Sequence, residues 1–156
     1  MSAGPAALSP WRELVRDEWI DYNGHLSEAY YVLVFGHATD SVMEQVGLGP
    51  DYRAAQGASL YTVEAHVRYL DEVLSGAELE VRSAVIGATD KVLRIWHEMW
   101  CADRLRASEE ILGVHVAQGR SAPFPADVVE RIDALVTEPG PDAGRAIAVG
   151  PASSAR

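Results

Sequence analysis

Apolar and polar residues follow two different rhythms along this chain. Between about Ser27 and Val46, Tyr31, Phe35, Ala38, Val42 and Val46 recur every three or four positions, the spacing of one helix face. Gly47 fits a C-terminal cap and Pro50 follows it. The first half, "AYYVLVF", is apolar on nearly every side, which predicts a helix surrounded by protein rather than lying on a surface. After a loop at 47–58 the period changes to two. In "SLYTVEAHVRYL", Tyr61, Val63, Ala65, Val67 and Tyr69 alternate with Thr62, Glu64, His66 and Arg68, a strand with one buried face. "ELEVRSAVIG", "KVLRIWHEMWC" and "RASEEILGVHVAQ" follow with short connections, as in an antiparallel meander.

At the N-terminal side, Trp11 to Ile20 reads as one short strand, and Asn23-Gly24 signals a turn. At the other end, "PADVVERIDALV" predicts a short helix with Pro125 in its first turn. The predicted order is strand, long helix, four strands, short helix. One curved antiparallel sheet of about five strands around the long helix is the simplest way to cover it, an α+β arrangement. Residues 1–10 are expected to be a loose arm, 11–137 a single domain, and 138–156, rich in Pro, Gly, Ala and Ser, a mobile tail.

Composition narrows the function. The chain has 156 residues, 48% of them hydrophobic, enough for a core and too many for a disordered chain. The net charge is −10 and Lys91 is the one lysine, which opposes non-specific nucleic-acid binding. No apolar run approaches the roughly 18 to 20 residues of a membrane span. "MSAGPAALSP" lacks a basic segment followed by an apolar core, and Cys101 is the single cysteine. A cytoplasmic location is the expectation. No cofactor or metal is expected, because the five histidines lack metal-ligand spacing. His37, Asp40, Ser41 and Glu44 fit the polar stripe of a helix, and Cys101 a small buried residue beside Trp100.

The densest polar segment is "DYNGH", Asp21 to His25, at the mouth of the long helix. Asp21 and Asn23 suit helix capping, and Asn-Gly suits a turn. The same residues suit acyl chemistry. A carboxylate can attack a carbonyl or activate water, and N–H groups at a helix start can receive the negative oxygen. Gly24 permits the close approach of backbone to ligand that this needs.

The order of elements together with "DYNGHLSEAYY" resembles the hotdog-fold acyl-CoA thioesterases of the 4-hydroxybenzoyl-CoA thioesterase type. The matching pattern is Asp21, Gly24, His25 and Tyr31. "WIDYNGHLSEAYYVLVFGHATD" with "YTVEAHVRYL" is similar to the betainyl-CoA thioesterases of carnitine breakdown. Ser27 and Glu28 depart from the asparagine pair that many relatives carry after the histidine.

This resemblance implies hydrolysis of an acyl-CoA ester, with CoA entering only as part of the substrate. It makes Asp21 the nucleophile or general base and the backbone near Gly24 the oxyanion donor, with His25 positioning. Asn23 and Tyr31 are candidate substrate contacts. It also implies a homodimer, or a homotetramer, whose sites draw on both chains. Glu64 and His66 would then contact substrate from the partner's strand, although alternating charge also suits a solvated strand face. Arginines such as Arg68, Arg82 or Arg94 are expected at the pocket mouth to meet the CoA phosphates. Among Trp19, Tyr22, Tyr30, Tyr31, Trp96 and Trp100 are candidate pocket walls, able to hold a trimethylammonium group by cation–π attraction. The alternatives are a hotdog hydratase, which carries Asp-x-Asn-Pro-x-His in place of this spacing, and a non-catalytic acyl-binding module.

Overall fold

A computed structural model describes residues 7–149. The arm expected at 1–10 and the tail expected at 138–156 lie partly outside these residues. The chain runs β1 (Trp11–Leu14), a single 3-10 turn (Asp17–Trp19), α1 (Glu28–Val46), α2 (Pro50–Gln56), β2 (Ala58–Tyr69), β3 (Glu78–Ala88), β4 (Val92–Cys101), β5 (Arg104–Ala117), β6 (Arg120–Ser121) and α3 (Ala126–Leu135). The sheet order is β1-β3-β4-β5-β2, with the two-residue β6 added to β5. All pairs are antiparallel.

α1 crosses the inner face of this sheet. It buries Tyr31, Val34, Phe35, Ala38, Thr39, Val42 and Val46, and it ends at Gly47, whose φ of 92° suits a residue without Cβ. The Leu48 N–H reaches back to the Met43 carbonyl at 2.7 Å, closing the last turn. Buried residues form two apolar clusters. One gathers Trp19, Tyr31, Phe35, Leu79, Val81 and Met99 near the start of α1. The other gathers Val42, Val46, Val85, Ile95, Ile111 and Ile132 near its end, where α3 seals the core with Val128 and Ile132.

Four expectations change. β1 is four residues long, and the chain then turns through the 3-10 segment instead of continuing to Ile20. The loop at 47–58 contains α2, which starts at Pro50 and has no fully buried side chain, so it carries no apolar periodicity to reveal it. α1 is not surrounded, because Val32 and Leu33 are 44% and 41% exposed. The expected buried face of β2 is also broken. Tyr61, Val63 and Tyr69 are all exposed, and a bulge between Thr62 and Glu64 resets the side-chain alternation. β2 is an edge strand, paired on one side only among the described residues.

Candidate active site

The turn that carries Asp21 is fixed by its own hydrogen bonds. The Gly24 N–H donates to the Asp21 carbonyl at 3.0 Å, and the Asp21 N–H donates to the His25 carbonyl at 2.9 Å. Gly24 takes φ +81°, and a Cβ there would meet nothing within 4 Å. The requirement for glycine is therefore conformational. Asp21 Oδ1 accepts from the Asn23 N–H at 2.8 Å and, more loosely, from the His25 N–H at 3.3 Å. No hydrogen bond is made by Asp21 Oδ2 among the described residues. The Leu26 and Ser27 N–H groups anchor the turn to Val73 and Trp19 carbonyls at 2.7 and 3.0 Å. Ser27 then leads into α1 without a side-chain cap. The backbone N–H groups of Glu28 and Ala29 are left without partners among the described residues, as the first donors of a helix are.

Asp21, His25, Ser27, Glu28, Tyr31, Tyr69, Leu70, Asp71 and Glu72 line one cleft of about 590 Å³. The Tyr31 O–H donates to the Asp71 carbonyl at 3.1 Å, and burial pushes its phenol up from the ordinary value. The Tyr69 ring stands edge-on to Tyr31 at 5.1 Å, and the Tyr69 O–H donates to the Glu28 carbonyl at 3.2 Å. His25 Nε2 lies 3.0 Å from Glu72 Oε2, so that end of the cleft is held by an ion pair when the imidazole is protonated. Tyr22 also lines the cleft although it is almost completely exposed, and Asn23 is exposed next to it in the turn.

The structure therefore brings together Asp21, Gly24, His25 and Tyr31. It does not bring Glu64 and His66 to them. Those two line a hollow on the opposite face of the sheet, with Arg94, Glu110 and Gly144. The reason is the register: His66 pairs with Glu110 and Glu64 with Leu112, all on the outer face. The expected arginines also point elsewhere. Arg68, Arg82 and Arg94 pair with Asp142, Glu80 and Glu110. The basic groups near the cleft are Arg104 and Arg106, both held on Asp71 at 2.7 and 3.2 Å. Part of the segment expected as a tail is thus seen against the sheet, through Asp142 and through the Gly144 N–H donating to Glu110. On the other side of α1, His37 Nδ1 lies 2.8 Å from Glu13 Oε2 on β1, so its partner is that carboxylate and not a triad.

Sequence reasoning missed Tyr69, Asp71 and Glu72 as cleft residues. Tyr69 ends β2 and the other two follow it, so only the tertiary fold brings them to Asp21. It also missed a buried polar row. Ser83, His97 and Glu109 pair across β3, β4 and β5 on the inner face. Thr39 from α1 donates to the Phe35 carbonyl, so it accepts from His97 Nε2–H at 2.9 Å. His97 Nδ1 then accepts from the Ser83 hydroxyl at 2.7 Å. This fixes one tautomer of a fully buried imidazole, and burial drives its pKa down to about 3. Among the described residues, no helix is long and apolar enough to cross a membrane. No cluster of three or more His, Cys, Asp or Glu side chains that could hold a metal occurs among them.

Comparison with known proteins gives a consistent picture. Residues 15–132 match the family model described as the thioesterase-like superfamily. Over 133 residues the chain is 43% identical to the betainyl-CoA thioesterase of Pseudomonas aeruginosa, covering 82% of this chain and 83% of that one. It is 41% identical to the L-carnitine dehydrogenase/betainyl-CoA thioesterase of Agrobacterium fabrum, covering 81% of this chain but 27% of that longer protein. A crystal structure of a presumed thioesterase from Pseudomonas putida KT2440 superposes with a TM-score of 0.82 at 37% identity. It covers 95% of this chain and 100% of that one.

Proposed function

From the premise that this chain belongs to the thioesterase-like superfamily and hydrolyses acyl-CoA thioesters, we propose that its substrate is betainyl-CoA and that Asp21 carries the reaction. The 43% identity to a betainyl-CoA thioesterase, over most of both chains, supports the acyl group. The single observation that carries the mechanism is the free Asp21 Oδ2 in a cleft at the N-terminus of α1.

Attack on the thioester carbonyl, by Oδ2 or by a water that Oδ2 deprotonates, forms the new C–O bond. Collapse of the adduct breaks C–S and releases CoA as the thiol. On the direct route, water then cleaves the acyl–Asp21 anhydride and restores the carboxylate. The carbonyl oxygen gathers negative charge at the positive end of α1, where the Glu28 and Ala29 N–H groups are unspent. The Gly24 N–H expected to receive it already donates to the Asp21 carbonyl. When the Asp21 carboxylate turns toward substrate, it also releases its loosest hydrogen bond, the His25 N–H at 3.3 Å, as a further donor. His25 holds the loop to Glu72, and Tyr31 holds the Asp71 turn, so both position the cleft. Asn23 borders the opening. The test is a panel of betainyl-, acetyl-, aromatic and long-chain CoA esters followed by thiol release. Betainyl-CoA is expected to give the highest kcat/KM, and a clear preference for another ester would remove this substrate.

The working unit is proposed to be a homodimer. β2 is an edge strand with unpaired backbone groups, and Tyr61 and Val63 stand 56% and 60% exposed on it. An edge of this length and apolarity is a template for a second copy. Val63→Lys is expected to shift the species seen by sedimentation from two chains to one, with activity falling alongside. A two-chain mass that persists in this variant would place the contact elsewhere.

A further inference from the structure

The two apolar core clusters are separated by the row Ser83, His97 and Glu109. Within it, the first two side chains are fully partnered and Glu109 is not. The Glu109 side chain accepts no hydrogen bond and forms no ion pair among the described residues, yet the residue is only 4% exposed. A carboxyl taken out of water normally finds a partner, because leaving it unpaired costs more than almost any other burial. Its surroundings push its proton affinity up, to a pKa of about 7, through burial alone.

Its location relates this anomaly to the cleft. Glu109 pairs with His97 on one side and Val67 on the other, so it shares the inner face with both. Two residues further along β2 is Tyr69, which lines the Asp21 cleft. The Glu109 charge is near enough to help raise the Tyr69 hydroxyl. From the cleft, the seam between α1 and β2 stays open. Val32 and Ala65 are exposed, and a Cβ on Gly36 would meet nothing within 4 Å. Between exposed Val32, Gly36 and Ala65 the seam is thus an apolar groove, beside the sheet face that carries Tyr69 and the unpaired carboxyl.

Such a groove suits one kind of cation. An ammonium or guanidinium group brings N–H donors that each need an acceptor, and one carboxyl cannot satisfy them. A quaternary ammonium brings none; it asks only for charge and aromatic faces. We propose that Glu109, with Tyr69 as its aromatic wall, forms the subsite that recognises the quaternary ammonium of the acyl group. This deepens the betainyl-CoA reading above and rests on it. Occupied, the site favours the ionised form of Glu109, because the fixed positive charge supplies the partner that the carboxylate lacks.

The experiment compares betainyl-CoA with 3,3-dimethylbutanoyl-CoA, in which carbon replaces the charged nitrogen. The full chain is used, and hydrolysis is followed by thiol release. Wild type is expected to favour the charged ester. In Glu109→Gln the ratio of kcat/KM values for the two esters is expected to collapse by about 100-fold, as for the loss of one partner of a buried charge pair. Tyr69→Leu, with the carboxyl intact, is expected to lower the same ratio by roughly 10-fold. A ratio unchanged in both variants, or equal losses on both esters, would overturn the subsite. Wild type showing no preference for the charged ester would instead overturn the substrate reading on which the subsite rests.

Discussion

Asp21→Asn is expected to abolish nearly all thioester hydrolysis, lowering kcat by about a thousandfold, while KM and the melting temperature change little. The variant isolates chemistry from folding because the two carboxylate oxygens have different tasks. Oδ1 accepts the Asn23 and His25 N–H groups and so holds the turn. Oδ2 makes no such bond. Asparagine keeps the first oxygen and replaces the second with an amide that neither attacks a carbonyl nor takes a proton from water. Asp21→Ala serves as the contrast, since it removes both tasks, including the side-chain hydrogen bonds of the turn, and is expected to cost about 1 kcal/mol of stability as well. Steady-state thiol release and a thermal melt on the same preparations read the two effects separately. Full activity in Asp21→Asn would show that the turn, not the carboxylate, is what the site requires.

The second large effect is a pH-dependent stability set by two neighbours on the inner sheet face. His97 is held down at about 3, against 6.5 for a free imidazole. As pH falls below 6.5 the unfolded chain takes a proton that the folded chain refuses. The stability His97 contributes is whole above pH 6.5 and is lost progressively toward pH 3, on the order of 5 kcal/mol over that window. Glu109 acts in the opposite sense. Its carboxyl is pushed up to about 7, against 4.5 when free. The folded chain keeps a proton that the unfolded chain releases, so the contribution is whole below pH 4.5 and lost as pH rises to 7, about 3 kcal/mol in all.

Between pH 4.5 and 6.5 these two slopes oppose each other, and their joint contribution is nearly flat. Below 4.5 only the His97 loss remains, and stability is expected to fall steeply. Glu109→Gln removes the opposing slope, so its decline begins near pH 6.5 instead, and at pH 7 it is more stable than wild type. Urea midpoints at pH 7, 5.5 and 4 measure this directly. A wild-type and a variant profile that run parallel would show that Glu109 is not a buried, proton-holding group.

How much of this was legible in the chain varies from element to element. α1 and its Gly47 stop follow from spacing, since one buried face must repeat every 3.6 residues. β3, β4 and β5 were equally visible in their alternation. α2 was invisible because it has no fully buried side chain and touches the core through Tyr52 alone, too little for a period. β2 misled, because its bulge at Thr62–Glu64 shifts the pattern partway along and its exposed apolar residues look like core residues. Glu64 and His66 were expected at the site of a partner chain; within one chain they lie on the face of the sheet opposite Asp21.

The sequence by itself determined the local chemistry: a polar turn ending in Asn-Gly, a carboxylate before it and a long helix after it. These are properties of neighbours along the chain, and short-range geometry carries them. Only the tertiary structure decided what faces that turn. Tyr69 and Asp71 arrive from the far end of a twelve-residue strand and the turn after it, and Glu109 from a strand that pairs with it. Whether such a group is buried, paired or left waiting depends on the sheet's order, curvature and bulges, which depend in turn on contacts far apart in sequence. A glutamate within "RASEEILG" reads as a surface charge until β2, β4 and α1 close around it.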